Sequence, residues 1–187
     1  MTEHVRFRAA TGADAVAILG IYGPYIERSG VSFETSVPSL VEMEQRIVSG
    51  SKLYPWLVAE LNSTVVGYAY ASAHRVREAY QWAAEVSTYV NDTARNLGIA
   101  TRLYQTLFDT LKRQNVYHAL AGITQPNAPS VSFHLSMGFR EVATYTNVGY
   151  KMGQWHTTKW YQLVIKETLD PPEPFVPLAH LTESLDH

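Results

Sequence analysis

Two features of this 187-residue chain have the residue types and spacing to do chemistry. The first is Arg95–Ala100 (RNLGIA), which follows the apolar stretch Trp82–Val90 and precedes the strongest helical pattern in the chain. A strand that passes through a glycine-containing turn into a helix N-terminus makes an anion site. Free backbone N–H groups converge there, and the helix dipole favours negative charge. Gly98 lets the backbone approach a ligand closely, and Arg95 adds a cation. The turn has neither the phosphate-loop spacing GxxxxGK[ST] nor the dinucleotide spacing GxGxxG, yet a pyrophosphate is its natural guest. Alone, R-x-x-G-x-A is matched by ordinary turns; its place between strand and helix gives it weight. The second feature is Glu85, a carboxylate inside WAAEVSTYV, where a charge in so apolar a strand needs a reason. His134 adds a group able to move protons near neutral pH. His4, His74, His118, His156, His180 and His187 show no metal-ligand spacing, so no metal is expected.

The elements that must hold these residues follow from periodicity. Val5–Arg8 reads as a strand, and Thr11 as the N-cap of a first helix with Asp14 three residues on and Ala15, Ile18 and Leu19 as its apolar stripe. Pro24 is expected to break that helix. Ser39 and Glu42 form a capping box for a second, with Leu40, Met43 and Ile47 on one face. Trp56–Glu60 and Val65–Ser72, joined through Asn62–Thr64, predict a hairpin, and Trp82–Val90 a further strand. Ile99, Leu103, Leu107 and Leu111 recur every four residues and predict a helix ending near Asn115. Tyr117–Ile123 is then a strand, and Pro126–Met137 contains a short helix stopped by Gly138. Arg140–Val148 and Lys159–Ile165 complete the sheet. The order β-α-α-β-β-β-α-β-α-β-β predicts a mixed α/β fold with a partly antiparallel sheet.

Four of the nine prolines lie in 171–177, so residues 169–187 are expected to be an extended tail over the body or a partner subunit, and residues 1–168 the folded domain. Hydrophobic residues make up 46% and charged residues 17%, which excludes a wholly disordered chain. Fifteen Lys and Arg against seventeen Asp and Glu give a charge of −2, and no basic–aromatic stripe is present, so a nucleic-acid role fits poorly. With zero cysteines, disulfides, thiolate metal sites and a cysteine nucleophile are excluded. No run of about 18 apolar residues exists, and MTEHVRFRAA lacks a signal-peptide core; a cytoplasmic protein without a membrane partner is the expectation.

RNLGIA is similar to the acetyl-CoA pyrophosphate loop [QR]-x-x-G-x-[GA] of the GCN5-related N-acetyltransferases (GNAT). The resemblance narrows to the phosphinothricin and methionine sulfoximine acetyltransferase group through YPWLVAE (Tyr54–Glu60), REAYQWAAEVSTYV (Arg77–Val90), PNAPSVSFHLSMGF (Pro126–Phe139), YKMGQWH (Tyr150–His156) and the proline-rich tail. It covers nearly the whole chain. It implies a mostly antiparallel central sheet flanked by helices, with a V-shaped splay between two central strands. It also implies a direct transfer of acetyl from acetyl-CoA to the α-amine of a small amino-acid analogue, and a homodimer. An amine arrives as ammonium, so a base must take a proton; the resemblance gives that place to Glu85, with His134 sharing the proton traffic. It gives the pantetheine arm the backbone of Thr88, Tyr89 and Val90, and the pyrophosphate Arg95, Asn96, Leu97, Gly98, Ile99, Ala100 and Thr101. Asn127 and Ser136 match further cofactor contacts. Arg75, Val76, Arg77, Glu78 and Tyr80 match the substrate loop, where an arginine fork suits a carboxylate head; Phe33 and Thr35 match a segment near the substrate.

Departures are Ala100 for a frequent second glycine, Leu135 where many relatives carry Glu, and Thr157 where many carry Asp. Two other readings compete: acetylation of a peptide or protein amine, and a non-catalytic acetyl-CoA-binding module. The arginine-bearing loop favours a compact anionic substrate over the first, and retention of Glu85 and His134 argues against the second.

Overall fold

Leu103, Tyr104, Leu107, Phe108 and Leu111 are buried along one side of a helix, and that side lies on a sheet. The computed structural model describes residues 5–181. Its elements run β1 (Val5–Ala9), α1 (Ala15–Arg28), α2 (Leu40–Gly50), β2 (Trp56–Leu61), β3 (Thr64–Ala73), β4 (Ala83–Val90), α3 (Ile99–Arg113), β5 (His118–Gln125), α4 (Ala128–Ser136), β6 (Arg140–Lys151) and β7 (Gln154–Val164), with single turns of 3₁₀ helix between some of them. The expected order of strands and helices is the observed one. Seven strands form one sheet in the order β1-β2-β3-β4-β5-β7-β6, antiparallel throughout except for β4 beside β5.

Each face of the sheet has its own core. On one face α1 and α2 bury Ile18, Ile21, Ile26, Met43 and Ile47 against Trp56, Val58 and Tyr68. On the other, α3 covers Leu57, Ala69, Ala84, Val86 and Ala119, with Phe139 and Tyr161 beside it. Ser39 caps α2 by accepting from the Glu42 amide at 3.3 Å, while the Glu42 carboxylate takes the Ser39 amide at 2.7 Å. Leu40, expected on the buried face, is exposed at the first turn. Asp14 takes both the amide and the hydroxyl of Thr11, and its carboxylate is gripped by Arg8, which also reaches Glu60.

Three expectations are corrected. Pro24 does not break the first helix: α1 runs through it to Arg28, because burial of Ile21, Tyr22 and Ile26 holds both sides of the proline on one core. The last two strands are longer than expected, β6 reaching Lys151 and β7 starting at Gln154. Met152 and Gly153, both at positive φ, make a two-residue hairpin turn that the unbranched, polar-looking run YKMGQWH did not reveal.

The tail crosses its own body. Val176 donates to the Gln114 carbonyl at 2.9 Å, Leu178 and Ala179 donate to the Leu53 and Lys52 carbonyls at 3.1 Å each, and Phe175 packs on Tyr54. Residues 182–187 of the expected tail, and His4 and His187, lie outside the described residues.

Candidate active site

β4 and β5 are neighbours that share only their first residues. Their parallel register is Ala83↔His118, Ala84↔Ala119 and Glu85↔Leu120, after which the strands part, although β4 continues to Val90 and β5 to Gln125. β4 keeps its pairing with β3 as far as Gly67↔Val90. The amide direction follows from alternation. Ala83 accepts from His74 on the β3 side, and Asn91 donates to Val66 on that side. Trp82 accepts from Tyr117 and His118 on the β5 side. The even-numbered residues therefore face β5; the Val86 amide closes the last shared rung on Leu120, and beyond it the peptide groups of Thr88 and Val90 open into the splay. The Val90 carbonyl there accepts from the Tyr25 hydroxyl at 3.3 Å.

Three spaces meet at this splay. On one side is a cleft of about 540 Å³ with Glu85, Ser87, Glu34, Tyr145 and Trp160 on its walls. A neck of about 60 Å³ passes Thr88, Tyr104, Asn127, Ser130 and His134. Val31, Val86, Ser87, Tyr89, Gly122 and Thr124 line both, so cleft and neck are continuous. Beyond Val90, a third space of about 310 Å³ is walled by Arg95, Asn96, Gly98, Ile99, Ala100 and Thr101. It is the turn into α3. Gly98 sits before the helix at φ 72° and Asn96, two residues earlier, at φ 64°, so two left-handed residues on either side of Leu97 turn the backbone sharply ahead of the first free amides of α3.

This arrangement can hold an extended molecule with an anionic middle, feed its far end through the splay, and present it to a carboxylate. Backbone amides in the splay are donors for an amide-rich chain, and the α3 N-terminus suits a pyrophosphate. The residues present fit acetyl-CoA in each of these respects. Residues 7–160 match the acetyltransferase (GNAT) domain.

The chain belongs to the GNAT acetyltransferase family.

Its relatives are N-acetyltransferases. It is 36% identical over 177 residues to the phosphinothricin N-acetyltransferase of Streptomyces viridochromogenes, covering 95% of this chain and 96% of that one. It is 32% identical to the L-methionine sulfoximine/L-methionine sulfone acetyltransferase of Salmonella typhimurium, covering 88% and 96%. Among solved structures, the GNAT superfamily phosphinothricin acetyltransferase of Sinorhizobium meliloti in complex with acetyl-CoA has 29% identity and a TM-score of 0.81, over 95% of this chain and 99% of that one.

In this acetyltransferase Glu85 is about one-third exposed in the cleft. Its Oε1 accepts from His74 Nδ1 at 2.9 Å and lies 3.5 Å from the Arg75 guanidinium. His134 is buried in the neck. Its Nδ1 lies 2.8 Å from the Ser130 carbonyl, which can only accept, so Nδ1 carries the hydrogen and Nε2 accepts from the Tyr104 hydroxyl at 3.0 Å. Burial pushes its pKa down against the opposing pull of that carbonyl, so the ring rests neutral. Burial also pushes the Tyr104 hydroxyl well above the usual tyrosine range. Glu34 is worked on by burial, which raises it, but the hydrogen bonds from Arg46 and Tyr22 prevail and hold it below the usual carboxylate range.

The structure brings together Glu85 and Phe33 in the cleft, Tyr89 between cleft and neck, Thr88, Asn127 and His134 in the neck, and Val90, Arg95, Asn96, Gly98, Ile99, Ala100 and Thr101 at the turn. Others stand apart. Leu97 is on the outer side of the turn, and Ser136 is exposed with its hydroxyl on the Phe133 carbonyl. Asn127 also caps α4, accepting from the Ser130 amide. Arg95 bonds to Asp92 and the Tyr25 hydroxyl. Of the substrate loop, only Arg75 approaches a cleft residue; Val76, Arg77 and Glu78 are exposed outside the cleft, as is Thr35. Tyr80 faces a separate space against Trp82, Tyr117 and Leu169. The loop turns outward because its last residues form a 3₁₀ turn and Trp82 is tied to the tail by its Nε1–H on the Glu173 carbonyl.

Sequence reading missed His74, Tyr104, Glu34 and Trp160. For His74 a signal was present. In the β3–β4 hairpin Ser72 stands opposite Glu85, so His74 is the diagonal neighbour of Glu85 on the same face. Among the described residues no group of three or more His, Asp or Glu is placed to hold a metal, and no helix is long and apolar enough to cross a membrane.

Proposed function

We propose that this acetyltransferase moves the acetyl group of acetyl-CoA to the α-amine of a small amino-acid analogue such as phosphinothricin, methionine sulfoximine or methionine sulfone, by direct transfer with both substrates bound. The observation that carries this reading is the placement of three features along β4: the turn into α3 beyond Val90, the peptide groups of Thr88 and Val90 facing the splay, and a cleft with the Glu85 carboxylate on its wall. The names of the relatives support the substrate class.

Acetyl-CoA supplies a thioester carbonyl. Glu85, as general base, takes a proton from the incoming ammonium, directly or through a water. The freed amine forms the C–N bond at the carbonyl carbon, and the C–S bond breaks. The peptide N–H of Thr88 or Val90 polarises the carbonyl oxygen as charge develops on it. The sulfur leaves with the electron pair and takes up a proton. His134, neutral at rest, is a transient carrier in the neck rather than a resident imidazolium. The peptide groups of Thr88 and Val90 hold the pantetheine arm while that of Tyr89 stays paired with β3, Asn96–Thr101 hold the pyrophosphate, and Arg75 and Phe33 the substrate's rim.

The reading includes a cytoplasmic homodimer. The exposed edge strand β6, with Val142, Val148, Tyr150 and Met152 and the adjoining Trp155, offers apolar surface for a second copy. Sedimentation showing only 21 kDa species at micromolar concentration would remove the dimer.

The test of function is thiol release from acetyl-CoA against phosphinothricin, methionine sulfoximine, methionine sulfone, ordinary amino acids, polyamines and a peptide. Saturable turnover on the first three, lost in Glu85→Gln, supports substrate class and base together. Turnover on peptides or polyamines alone would discard the amino-acid reading.

A further inference from the structure

We propose that His74 is a positioning residue for Glu85, fixing one carboxylate oxygen so that the other is presented to the amine. The inference rests on the reading of Glu85 as the base.

The geometry is one-sided. Oε1 of Glu85 receives His74 Nδ1 at 2.9 Å and faces the Arg75 guanidinium at 3.5 Å. Among the described residues no hydrogen bond is made to Oε2. A carboxylate with one oxygen anchored and the other free, on a wall of an open cleft, has a single orientation in which to meet an ammonium. His74 is itself held on three sides. Its amide donates to the Ala83 carbonyl, continuing the β3–β4 ladder. Its ring meets Tyr80 and Trp160 edge-on, with centroids 5.9 and 5.6 Å away. Its side chain is only 15% exposed. Arg75 adds a clasp by donating to the His74 carbonyl at 2.9 Å. With Glu85 ionised and accepting, Nδ1 carries the hydrogen. No hydrogen bond engages Nε2 among the described residues, so no second bond draws the ring away from Glu85.

His74→Phe keeps an aromatic ring between Tyr80 and Trp160 but removes the donor. His74→Asn places an amide N–H near the position of Nδ1. The test measures kcat and KM for both substrates in both variants, with Glu85→Gln alongside. Expected are a roughly tenfold loss of kcat in His74→Phe with KM for acetyl-CoA unchanged, and recovery in His74→Asn to within about threefold of wild type. Wild-type kcat in His74→Phe would overturn the inference while a dead Glu85→Gln left the base reading standing. Equal losses in the Phe and Asn variants would make His74 a packing residue and overturn it too. A fully active Glu85→Gln would end both readings.

Discussion

Tyr104 of α3 and His134 of α4 are joined by a hydrogen bond of 3.0 Å from the tyrosine hydroxyl to Nε2, and together they line the neck that adjoins the cleft. Both ring nitrogens of His134 are thereby engaged, Nδ1 on its own helix and Nε2 across to the next. Tyr104→Phe strips Nε2 of its donor in a buried place. The variant is expected to lose about 1–3 kcal/mol of stability. Its kcat should fall with KM for the amine unchanged, because the neck, not the cleft, has changed. Chemical denaturation and steady-state kinetics on the one variant check both; wild-type kcat would detach Tyr104 from the reaction.

The same burial makes stability depend on pH with a defined sign. His134 and His118 both have pKa values lowered by desolvation from 6.5. Below about pH 6.5 the unfolded chain takes up protons that the folded chain refuses, so the stability present above that pH is lost as pH falls. The depressed carboxylates Asp14 and Glu34 act lower, beneath 3.8 and 4.5. A urea midpoint that drops between pH 7.5 and 5.5, with a smaller drop in His134→Leu, is the expected outcome. A flat or rising midpoint over that range would show that the two histidines charge as easily in the folded state.

Gly98 is a position where conformation, not space, forbids a side chain. Nothing lies within 4 Å of an added Cβ, but φ is 72°. Gly98→Ala should cost about 1 kcal/mol, a shift in Tm of roughly 4 °C. The strain is relieved by tilting the amides that open α3, so KM for acetyl-CoA should rise severalfold while KM for the amine stays put. An unchanged KM for acetyl-CoA would argue that the turn does not touch it.

What could be read from the residues alone was what local pattern determines. The four-residue recurrence from Ile99 to Leu111 set α3, and the glycine before it set the turn, so the place proposed for the cofactor's pyrophosphate was legible as a strand–turn–helix. So was Glu85, because a carboxylate interrupts an otherwise apolar strand. The failures share a cause. Pro24 lies in a helix because long-range burial outweighs the local break. Val76, Arg77 and Glu78 sit outside the cleft because the path of their loop is set partly by Trp82 reaching the Glu173 carbonyl, a contact 91 residues apart. His74 looked like a surplus histidine until hairpin register placed it beside Glu85.

Gly149 on β6 leaves room for the ring of Phe33, on which an added Cβ would fall. Phe33 is a wall of the cleft. Gly149→Ala must push that ring away, at a cost of about 1–3 kcal/mol. The expected result is a raised KM for the amine with KM for acetyl-CoA unaltered, the reverse of Gly98→Ala. Paired measurements on the two glycine variants thus separate the ends of the site; a Gly149→Ala enzyme with unchanged amine KM would remove Phe33 from the substrate wall.

One buried side chain ties the tail to the end of α3. Gln114, at the end of α3, donates from Nε2 to the Leu53 carbonyl at 2.6 Å and the Val176 carbonyl at 2.9 Å, and its own carbonyl accepts from the Val176 amide. Gln114→Leu fills similar space but leaves the Val176 carbonyl unpaired and takes one of two donors from the Leu53 carbonyl, which keeps the Leu178 amide, a loss of about 1 kcal/mol. The strap from Pro171 to Leu181 is also held by Phe175 on Tyr54, by the Leu178 and Ala179 amides, by Asn115 on the Pro174 carbonyl, and at Glu173 by Trp82, Lys166 and Tyr117. The Gln114 bonds secure its middle, so their loss lowers the free energy of opening there. Faster proteolytic cutting within 170–180, with kcat on the best amine unchanged, is the expected outcome. A fall in kcat matching the rate of cutting would mean instead that the strap steadies Trp82 and, through it, the loop that carries His74.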